Sequence, residues 1–490
     1  MHSPSLFRAR RACALVLVAA CATSFTARAS GFFYADLGAR ELGRGATGAA
    51  GTDDLSSIIY NPAGLADLTG LTVQLDVQFA HQPLSFTRDV GVVGAGCGVG
   101  GGACNTVSDG ASYFPNTISG VALDLGVLSP VLRGVVVALA AHGPPAAGIH
   151  TFPDPRTFGS ATEVAQSAPQ RYSLIASNNF IFYPGVHIGW RATDWLSIGA
   201  GAEIRIFHIT QTQSIFGIAD LGGDYPAFDA VATIDAKQNA YPVFDGGLIV
   251  RPIPSMRNLS IGLSGHLGTP VSADGTMTIQ TPPAAAALNI QVVGNRTHVD
   301  LRLPSDARLG VQWKGGRALV AVDGTWEGWG AVQNIKVTPI GISLVSGTGA
   351  SQKSTPVAPI FLHKDFHGAF TARVGGEWRL FDKGDQLLPG GTEIALRLGG
   401  IYESSAIPDS SLQVDFVDGP RFAATAGLSV TTHDVSLTFA YAHYFQSERD
   451  VTTSAATRVD PYPAPPFIVG NGTYVTSLDA IAIDLRWHAF

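Results

Sequence analysis

The feature that most constrains the fold is an alternation of apolar and polar residues that recurs along most of the chain. In one stretch, every second residue from Leu71 to Phe79 is Leu, Val or Phe, and the residues between them are Thr, Gln and Asp. Such a period of two is typical of a strand with one apolar face, and ~9–11 residues suffice for a tilted strand to cross a membrane. Stretches of this kind lie near 71–80, 117–128, 134–142, 170–190, 195–210, 241–252, 258–280, 298–314, 318–338, 366–381, 392–404, 421–431, 435–448 and 475–490. The chain is therefore predicted to be all-β, with about fourteen strands.

The links between these stretches alternate between short and long. The short links are 129–133, 191–194, 253–257, 315–317, 382–391 and 432–434. The long links are 81–116, 143–169, 211–240, 281–297, 339–365, 405–420 and 449–474. Only 14% of the residues are charged, yet no apolar run beyond the N-terminus reaches the ~20 residues of a membrane helix. Short periplasmic turns and long extracellular loops alternate in outer-membrane barrels, so residues 71–490 are predicted to form a transmembrane antiparallel β-barrel.

Residues 1–29 have the features of a secretory signal peptide. Three arginines precede an apolar run over 12–22, and Ala27-Arg28-Ala29 offers the small residues of a cleavage site, so that Ser30 would begin the mature chain. The run Val18-Ala19-Ala20-Cys21 also resembles a lipoprotein cleavage box, and lipidation of Cys21 stays open as an alternative. Removal of residues 1–29 takes away four basic residues and no acidic one, so the net charge falls from −7 to −11. No basic face for a nucleic acid is evident, and no nucleic-acid partner is expected.

Residues 30–70 are the only sizeable region without strand alternation. The region is rich in Gly, Ala, Asp and Ser, and it contains Asn61-Pro62-Ala63-Gly64. Pro62 restricts its own φ and disfavours a helical Asn61, while Gly64 permits a tight turn. A compact irregular segment of this kind buries little surface by itself, so we expect it to be a plug, or hatch, held inside the barrel.

Of the four cysteines, Cys13 and Cys21 belong to the signal peptide. Cys97 and Cys104 lie in a glycine-rich loop and are predicted to form a disulfide in an oxidising compartment. Further ligands are lacking near these two cysteines, and no metal site is expected. The patterns Gly43-x-Gly45-x-x-Gly48 and Gly96-x-Gly98-x-x-Gly101 do not lie within a βαβ unit, so neither predicts a nucleotide or another cofactor.

Several motifs resemble the FadL/TodX outer-membrane transporters. The runs Leu42-Gly43-Arg44-Gly45 and Tyr60-Asn61-Pro62-Ala63-Gly64 are similar to the N-terminal hatch of that family. Weaker similarities follow in order at 184–190, 196–201, 303–310, 325–329 and 401–408. The resemblance implies a fourteen-stranded barrel, plugged by the hatch, that carries long-chain fatty acids or aromatic hydrocarbons. It also implies a pocket that touches the mature N-terminus, and sideways release through a kinked strand beside the Asn-Pro-Ala element.

The resemblance assigns candidate site residues. Ser30, Gly31 and Phe32 correspond to the N-terminal contact with the ligand, and Asn61, Pro62 and Ala63 to the hatch. Residues 134–142, followed by Gly143 and Pro144, correspond to the kinked strand, where proline cannot donate to a ladder. Apolar loop residues are further candidates for ligand contact, with loop packing as the alternative; these residues are Ile215, Phe216, Ile218, Phe361 and Leu362. No motif aligns with the family's carboxylate-binding groups. Arg205 and Arg397 face inward by parity, but so do Glu203 and Glu393 beside them, so recognition of an acidic head group is not assigned.

We therefore expect a monomeric outer-membrane channel that takes up hydrophobic small molecules passively, without enzymatic activity or a cofactor. Its expected partners are the hydrophobic ligand, outer-membrane lipid and lipopolysaccharide, and the barrel-assembly machinery. The assembly machinery is expected because of Phe490, since a terminal aromatic residue on the last strand resembles an outer-membrane assembly signal. A polar-solute porin, an outer-membrane enzyme using a pair such as Ser264 and His266, and an adhesin remain alternatives.

Overall fold

The computed structural model describes residues 36–89, 97, 104–110, 113–143, 149–217, 223–252, 258–282, 284–285, 288–382, 391–460 and 466–489. The predicted signal peptide and Ser30, Gly31, Phe32, Pro144, Ile218 and Phe490 lie outside these residues. Within the described residues, no helix combines the length and the apolar character needed to span a membrane.

The described residues form one closed sheet of nineteen strand pieces, which amount to fourteen barrel strands. The strands are β1 (Leu71–His81), β2 (Tyr113–Asp124), β3 (Val135–His142 and Ile149–Thr151), β4 (Ala176–Arg191), β5 (Leu196–Phe216), β6 (Asp229–Val250), β7 (Leu259–His266 and Pro270–Gln280), β8 (Arg296–Arg302 and Asp306–Gly315), β9 (Ala318–Glu327 and Asn334–Ile340), β10 (Ile360–His363 and Ala369–Phe381), β11 (Glu393–Glu403), β12 (Arg421–Thr432), β13 (Val435–Gln446) and β14 (Leu478–Ala489). Every strand is antiparallel to its neighbours in sequence, and β1 also pairs with β14, with Leu71 opposite Ala489. The predicted fourteen-stranded antiparallel barrel is confirmed.

The outer wall of the barrel is apolar, as the period-two pattern predicts. On β1, Leu75 and Phe79 are exposed while Gln74, Asp76 and Gln78 are buried in the interior. The same alternation holds on β14, where Ile481, Ile483, Leu485 and Trp487 are exposed. An exposed apolar wall without sheet edges matches the hydrocarbon core of a bilayer, so the chain is an outer-membrane β-barrel.

The predicted strand boundaries need two corrections. The expected loop over 211–240 is mostly strand, because β5 continues to Phe216 and β6 begins at Asp229, and the two pair beyond the membrane region. Three stretches expected to be continuous, 258–280, 298–314 and 318–338, are interrupted after His266, Arg302 and Glu327, and β10 gains an additional piece, Ile360–His363, within the expected loop 339–365. Gly268 and Pro304 lie at two of these breaks, where neither residue supports a regular ladder. The wall nevertheless stays closed between β7 and β8, since Thr269 and Leu303 exchange backbone hydrogen bonds of 2.9 and 3.2 Å.

The remaining elements lie in the lumen or among the loops. In the lumen are the helices α1 (Ala39–Gly43) and α2 (Ser57–Tyr60) and the 3₁₀ helix Pro62–Asp67. The loops contain α3 (Ala161–Ser167), a three-stranded sheet and a four-stranded sheet. The strands of the two sheets are Gln291–Val293, Ser343–Ser346 and Lys353–Pro356, and Leu84–Arg88, Val107–Ser108, Arg449–Val451 and Gly472–Thr476. Further 3₁₀ helices are Leu125–Val127, Pro130–Leu132, Pro155–Thr157, Pro226–Phe228, Trp329–Ala331, Gly349–Ser351 and Asp409–Ser411.

Candidate functional site

Residues 36–70, which we call the hatch, lie inside the barrel near the short-turn end. All of them are buried except Asp53, Asp67 and Thr69. Asp67 marks the end of the hatch at that mouth, because it forms ion pairs with Arg191 and with Arg251, the latter at 2.6 Å. The prediction of a compact, mostly irregular segment with short helical turns agrees with this geometry.

Inward polar side chains of the wall satisfy the backbone of the hatch. Because the hatch contains little regular structure, its N–H groups need acceptors elsewhere. The N–H of Ala39 donates to Asp76 Oδ2 at 2.6 Å, and that of Leu55 donates to Gln74 Oε1 at 2.8 Å. The Ala49 N–H likewise donates to Asp323 Oδ2 at 2.8 Å. The polar residues that the alternation turns inward are therefore the hatch's hydrogen-bond partners.

Inward glycines let the hatch backbone approach the wall closely. Eight strands contribute one such glycine each: Gly189, Gly199, Gly247, Gly262, Gly310, Gly375, Gly399 and Gly427. A Cβ at Gly262 would overlap the carbonyl oxygen of Ala49, and a Cβ at Gly375 would overlap that of Arg44. This set of glycines was not predicted; the available signal was glycine at the inward, polar positions of the strands.

Asn61 joins the hatch to two barrel strands. Its backbone is extended, with φ −169° and ψ 107°, and it caps the 3₁₀ helix by accepting from the Ala63 N–H at 3.1 Å. Its Nδ2 donates to the carbonyl oxygens of Ala49 at 2.7 Å, of Leu248 on β6 at 3.1 Å and of Leu263 on β7 at 3.4 Å. Pro62 and Ala63 follow directly and are buried against Gly199 of β5. The structure therefore brings all three predicted hatch residues to the wall.

Buried charges also tie the hatch to the far side of the barrel. Glu377 of β10 pairs with Arg40 of the hatch at 3.1 Å and with Arg397 of β11 at 2.8 Å. Glu41 accepts from Arg44 at 2.8 Å, and burial is the main factor that raises the pKa of Glu41 above its usual range. Arg397 is thus buried on the inner face, as predicted, with a carboxylate partner in the protein.

The first piece of β3 ends beside the hatch. The ladder between β2 and β3 runs from Asp124 opposite Val136 to Ile118 opposite His142. Beyond it, Gly143 donates its N–H to the Thr117 carbonyl at 3.2 Å. The second piece of β3 pairs with β4, and its Thr151 carbonyl accepts from the Gly110 N–H at 2.8 Å. The predicted kink at Pro144 lies outside the described residues and stays a prediction.

A cavity of about 110 Å³ lies between the hatch and the end of the first piece of β3. Leu37 and Ile59 of the hatch form part of its surface, and the strand breaks of β7 and β8 contribute Leu267 and Leu303. His142 and Tyr183, which pair at the end of the β3–β4 ladder, also line it, and their rings stack at 5.1 Å. The polar lining consists of Glu203, His266, Thr269, Asp306, Arg308 and Glu327. The cavity is thus apolar on its hatch side and ionisable along the wall.

The predicted loop residues fall into two groups. Ile215 and Phe216 are buried at the end of β5, where Arg458 lies 4.0 Å from the Phe216 ring centre. Phe361 and Leu362 line an extracellular cavity of about 270 Å³. Ile215 and Phe216 do not line that cavity themselves, but Arg458, which lies over the Phe216 ring, does.

Two other sequence-level features have clear positions. Cys97 and Cys104 are joined by a disulfide, with Cα atoms 5.0 Å apart. Arg205 is buried on the inner face and donates to Gln238 Oε1 at 2.7 Å, to the Pro270 carbonyl and to Thr269 Oγ1. It bridges the interrupted ladder between β6 and β7.

Comparisons with known proteins place the fold. No protein-family model matches the chain, and no curated protein matches it. A Pseudomonas aeruginosa FadL homologue aligns at a TM-score of 0.71 and 15% identity, over 94% of this chain and 100% of that one. The Ralstonia pickettii toluene transporter TbuX aligns at 0.58 and 14% identity, over 93% and 98%. The Pseudomonas putida toluene transporter TodX aligns at 0.57 and 11% identity, over 92% and 98%.

The barrel and its buried N-terminal segment thus define the class, a plugged outer-membrane β-barrel. More narrowly, the chain has the fold of the FadL and TodX proteins, so the predicted resemblance is confirmed at the level of the fold. At 15% identity or less, the likeness carries no substrate with it.

Proposed function

We propose that this chain is an outer-membrane channel through which hydrophobic small molecules, such as long-chain fatty acids or aromatic hydrocarbons, enter passively. In this proposal the molecule passes from the extracellular loops to the cavity above the hatch. It then leaves sideways, through the kink predicted in β3 at Gly143 and Pro144, into the outer membrane. The observation that carries the proposal is the position of His142 and Tyr183, which end the described β3–β4 ladder next to Gly143 and also line the cavity.

The filling of the lumen favours an apolar solute over a polar one. The hatch occupies one end, and a second cluster of buried apolar side chains, separate from that of the hatch, includes Phe207, Trp329 and Phe366. An apolar molecule gains ~25 cal/mol for each Å² that it removes from water, so contact with such walls is favourable. Release into lipid avoids returning the molecule to water, which a straight passage would require.

The proposal is tested by uptake. A deletion strain complemented with this chain should accumulate labelled oleate or toluene faster than the same strain with an empty vector. The purified protein in a planar bilayer should pass almost no ion current, because the hatch fills the lumen. A polar-solute porin would instead give steady current and sugar influx. An enzyme or an adhesin would leave uptake at the level of the empty vector. Steady current with sugar influx, or uptake no faster than with the empty vector, would overturn the proposal.

A further inference from the structure

Ionisable residues form a continuous row across six neighbouring strands on the inner wall. The pairing register places residues of β4 to β9 side by side in the order His187, Gly201, Asp245, His266, Asp306 and Glu327. Gly201 has no side chain, so His187 and Asp245 meet over it; a Cβ there would overlap both. Glu203, two residues further along β5, points to the same place.

Three of these side chains converge on one point. His187 Nε2 lies 3.1 Å from Glu203 Oε1 and 3.5 Å from Asp245 Oδ2. One ligand atom from each of the three residues lies within 4.8 Å of the others, and all three residues are buried. His142 Nε2 approaches the same Glu203 oxygen at 2.9 Å. Two carboxylates therefore share one imidazole nitrogen, which can donate a single proton.

The Asp245 carboxylate is buried at this point without a hydrogen bond to the described residues. Neither of its carboxylate oxygens has a hydrogen-bond partner among the described residues, although only 8% of the residue is exposed. A buried carboxylate is costly unless it is paired, hydrogen-bonded or coordinated to a metal. His142 also contacts Glu203, but His187 Nε2 is the one imidazole nitrogen that faces both carboxylates, and a cation at this point would satisfy Asp245.

We propose that His187, Glu203 and Asp245 bind one divalent cation of the Zn²⁺ class. Imidazole and carboxylate ligands suit zinc, which they approach at about 2.0–2.2 Å. Tetrahedral ligands at that distance are about 3.4 Å apart, close to the separations of His187 Nε2 from its two partners. The bound ion would connect β4, β5 and β6 and, through Glu203, contact His142 at the end of the first piece of β3. The site is independent of whichever solute the barrel carries.

The test is a zinc titration of the untagged, detergent-purified, full-length mature protein after chelator treatment, with a chromophoric chelator as competitor. We expect one equivalent to bind, and we expect Asp245→Asn and His187→Gln each to weaken binding at least about tenfold. The matched control is His298→Gln. His298 also contacts two aspartates, but through opposite ring nitrogens, Asp274 at 2.7 Å from Nδ1 and Asp300 at 3.1 Å from Nε2. Its replacement should leave binding unchanged.

A measurement on the unaltered protein makes the test independent of variant folding. Cobalt(II) bound at the site should give visible d–d bands of nitrogen and oxygen ligation, which excess zinc abolishes. Heat-dependent migration in gels reports whether each variant retains its barrel. Absence of both the stoichiometric zinc and the cobalt bands would overturn the proposal. So would a folded Asp245→Asn variant that binds like the unaltered protein, or a loss of binding confined to His298→Gln.

Discussion

Asn61 shows how much of the hatch's attachment depends on one amide. Through Nδ2 it reaches three carbonyl oxygens, on the hatch, β6 and β7, and through Oδ1 it caps the 3₁₀ helix. No other polar side chain of similar size offers a donor and an acceptor in this arrangement. The Pro that follows disfavours a helical conformation at Asn61, and the extended backbone observed there points its side chain at the wall.

We expect Asn61→Ala to loosen the hatch. The change removes up to four hydrogen bonds of about 1 kcal/mol each and leaves buried carbonyl groups unpaired, so local stability should fall by about 2–4 kcal/mol. Hydrogen–deuterium exchange of residues 36–70 measures the effect. Asn258→Ala, at an exposed position beside a short turn, is the control. Equal exchange in both variants would contradict the assigned role.

Two adjacent glycines of β6 offer a matched comparison at the same scale. A Cβ at Gly247 would overlap Asn61 Oδ1, whereas at Gly246 the nearest neighbouring atom is the Gly199 carbonyl oxygen at 3.7 Å. We expect Gly247→Ala to displace the hatch, at a cost on the order of 1–3 kcal/mol, and to raise ion current in planar bilayers. Gly246→Ala should conduct like the unaltered protein. If the two variants conduct alike, close packing at Gly247 does not hold the hatch in position.

Among the elements, β3 differs from the other interrupted strands. The breaks of β7 and β8 are bridged by backbone hydrogen bonds, so they reshape the lumen without opening the wall there. In β3 the described ladder with β2 ends at Gly143, and the Gly110 N–H donates to the Thr151 carbonyl at 2.8 Å in the next described stretch. The proposed kink in β3 rests on the sequence, since Pro144 and Pro145 follow Gly143 and two successive prolines remove two N–H donors.

A continuous β3 should block sideways release. Replacing Pro144 and Pro145 together with threonine restores two donors and strand propensity, so the β2–β3 ladder can extend. We expect uptake of labelled oleate or toluene to fall at least about tenfold while the barrel remains heat-modifiable in gels. Pro130→Thr, at an exposed position in a short turn, should retain normal uptake. Unchanged uptake in the double variant would exclude this exit.

For the whole molecule, the hatch and barrel depend on each other. The wall supplies hydrogen-bond acceptors for the hatch backbone, and its inward glycines let the hatch pack closely. The hatch in turn neutralises two inward charges of the wall, because Arg40 pairs with Glu377 and Asp36 pairs with Arg373. Deletion of residues 36–66 should therefore leave a wide polar lumen. We expect ion current in planar bilayers to rise at least about tenfold, because large barrels without filling enclose an aqueous channel. A heat-modifiable deletion variant without added current would mean that other residues close the lumen.

Sequence alone determined the barrel, its strand count and the hatch, and it predicts the kink in β3. These follow from local patterns: alternation along one strand, link length, and glycine or proline at one place in the chain. Strand continuity was overestimated over 258–338 because the alternation persists across each break. The extension of β6 to Asp229 was missed because residues 229–240 lack a clean apolar–polar alternation, although they pair with the adjacent end of β5.

Only the tertiary structure decided which residues meet inside the barrel. The eight inward glycines, the cavity lining, and the convergence of His187, Glu203 and Asp245 depend on the register between strands. A shift of one residue would turn each of these side chains outward. Periodicity specifies which residues of a strand share a face. Closure of the barrel around the hatch decides which of those residues lie side by side on neighbouring strands. That alignment, and with it the cavity beside β3, arises from contacts between residues far apart in the chain.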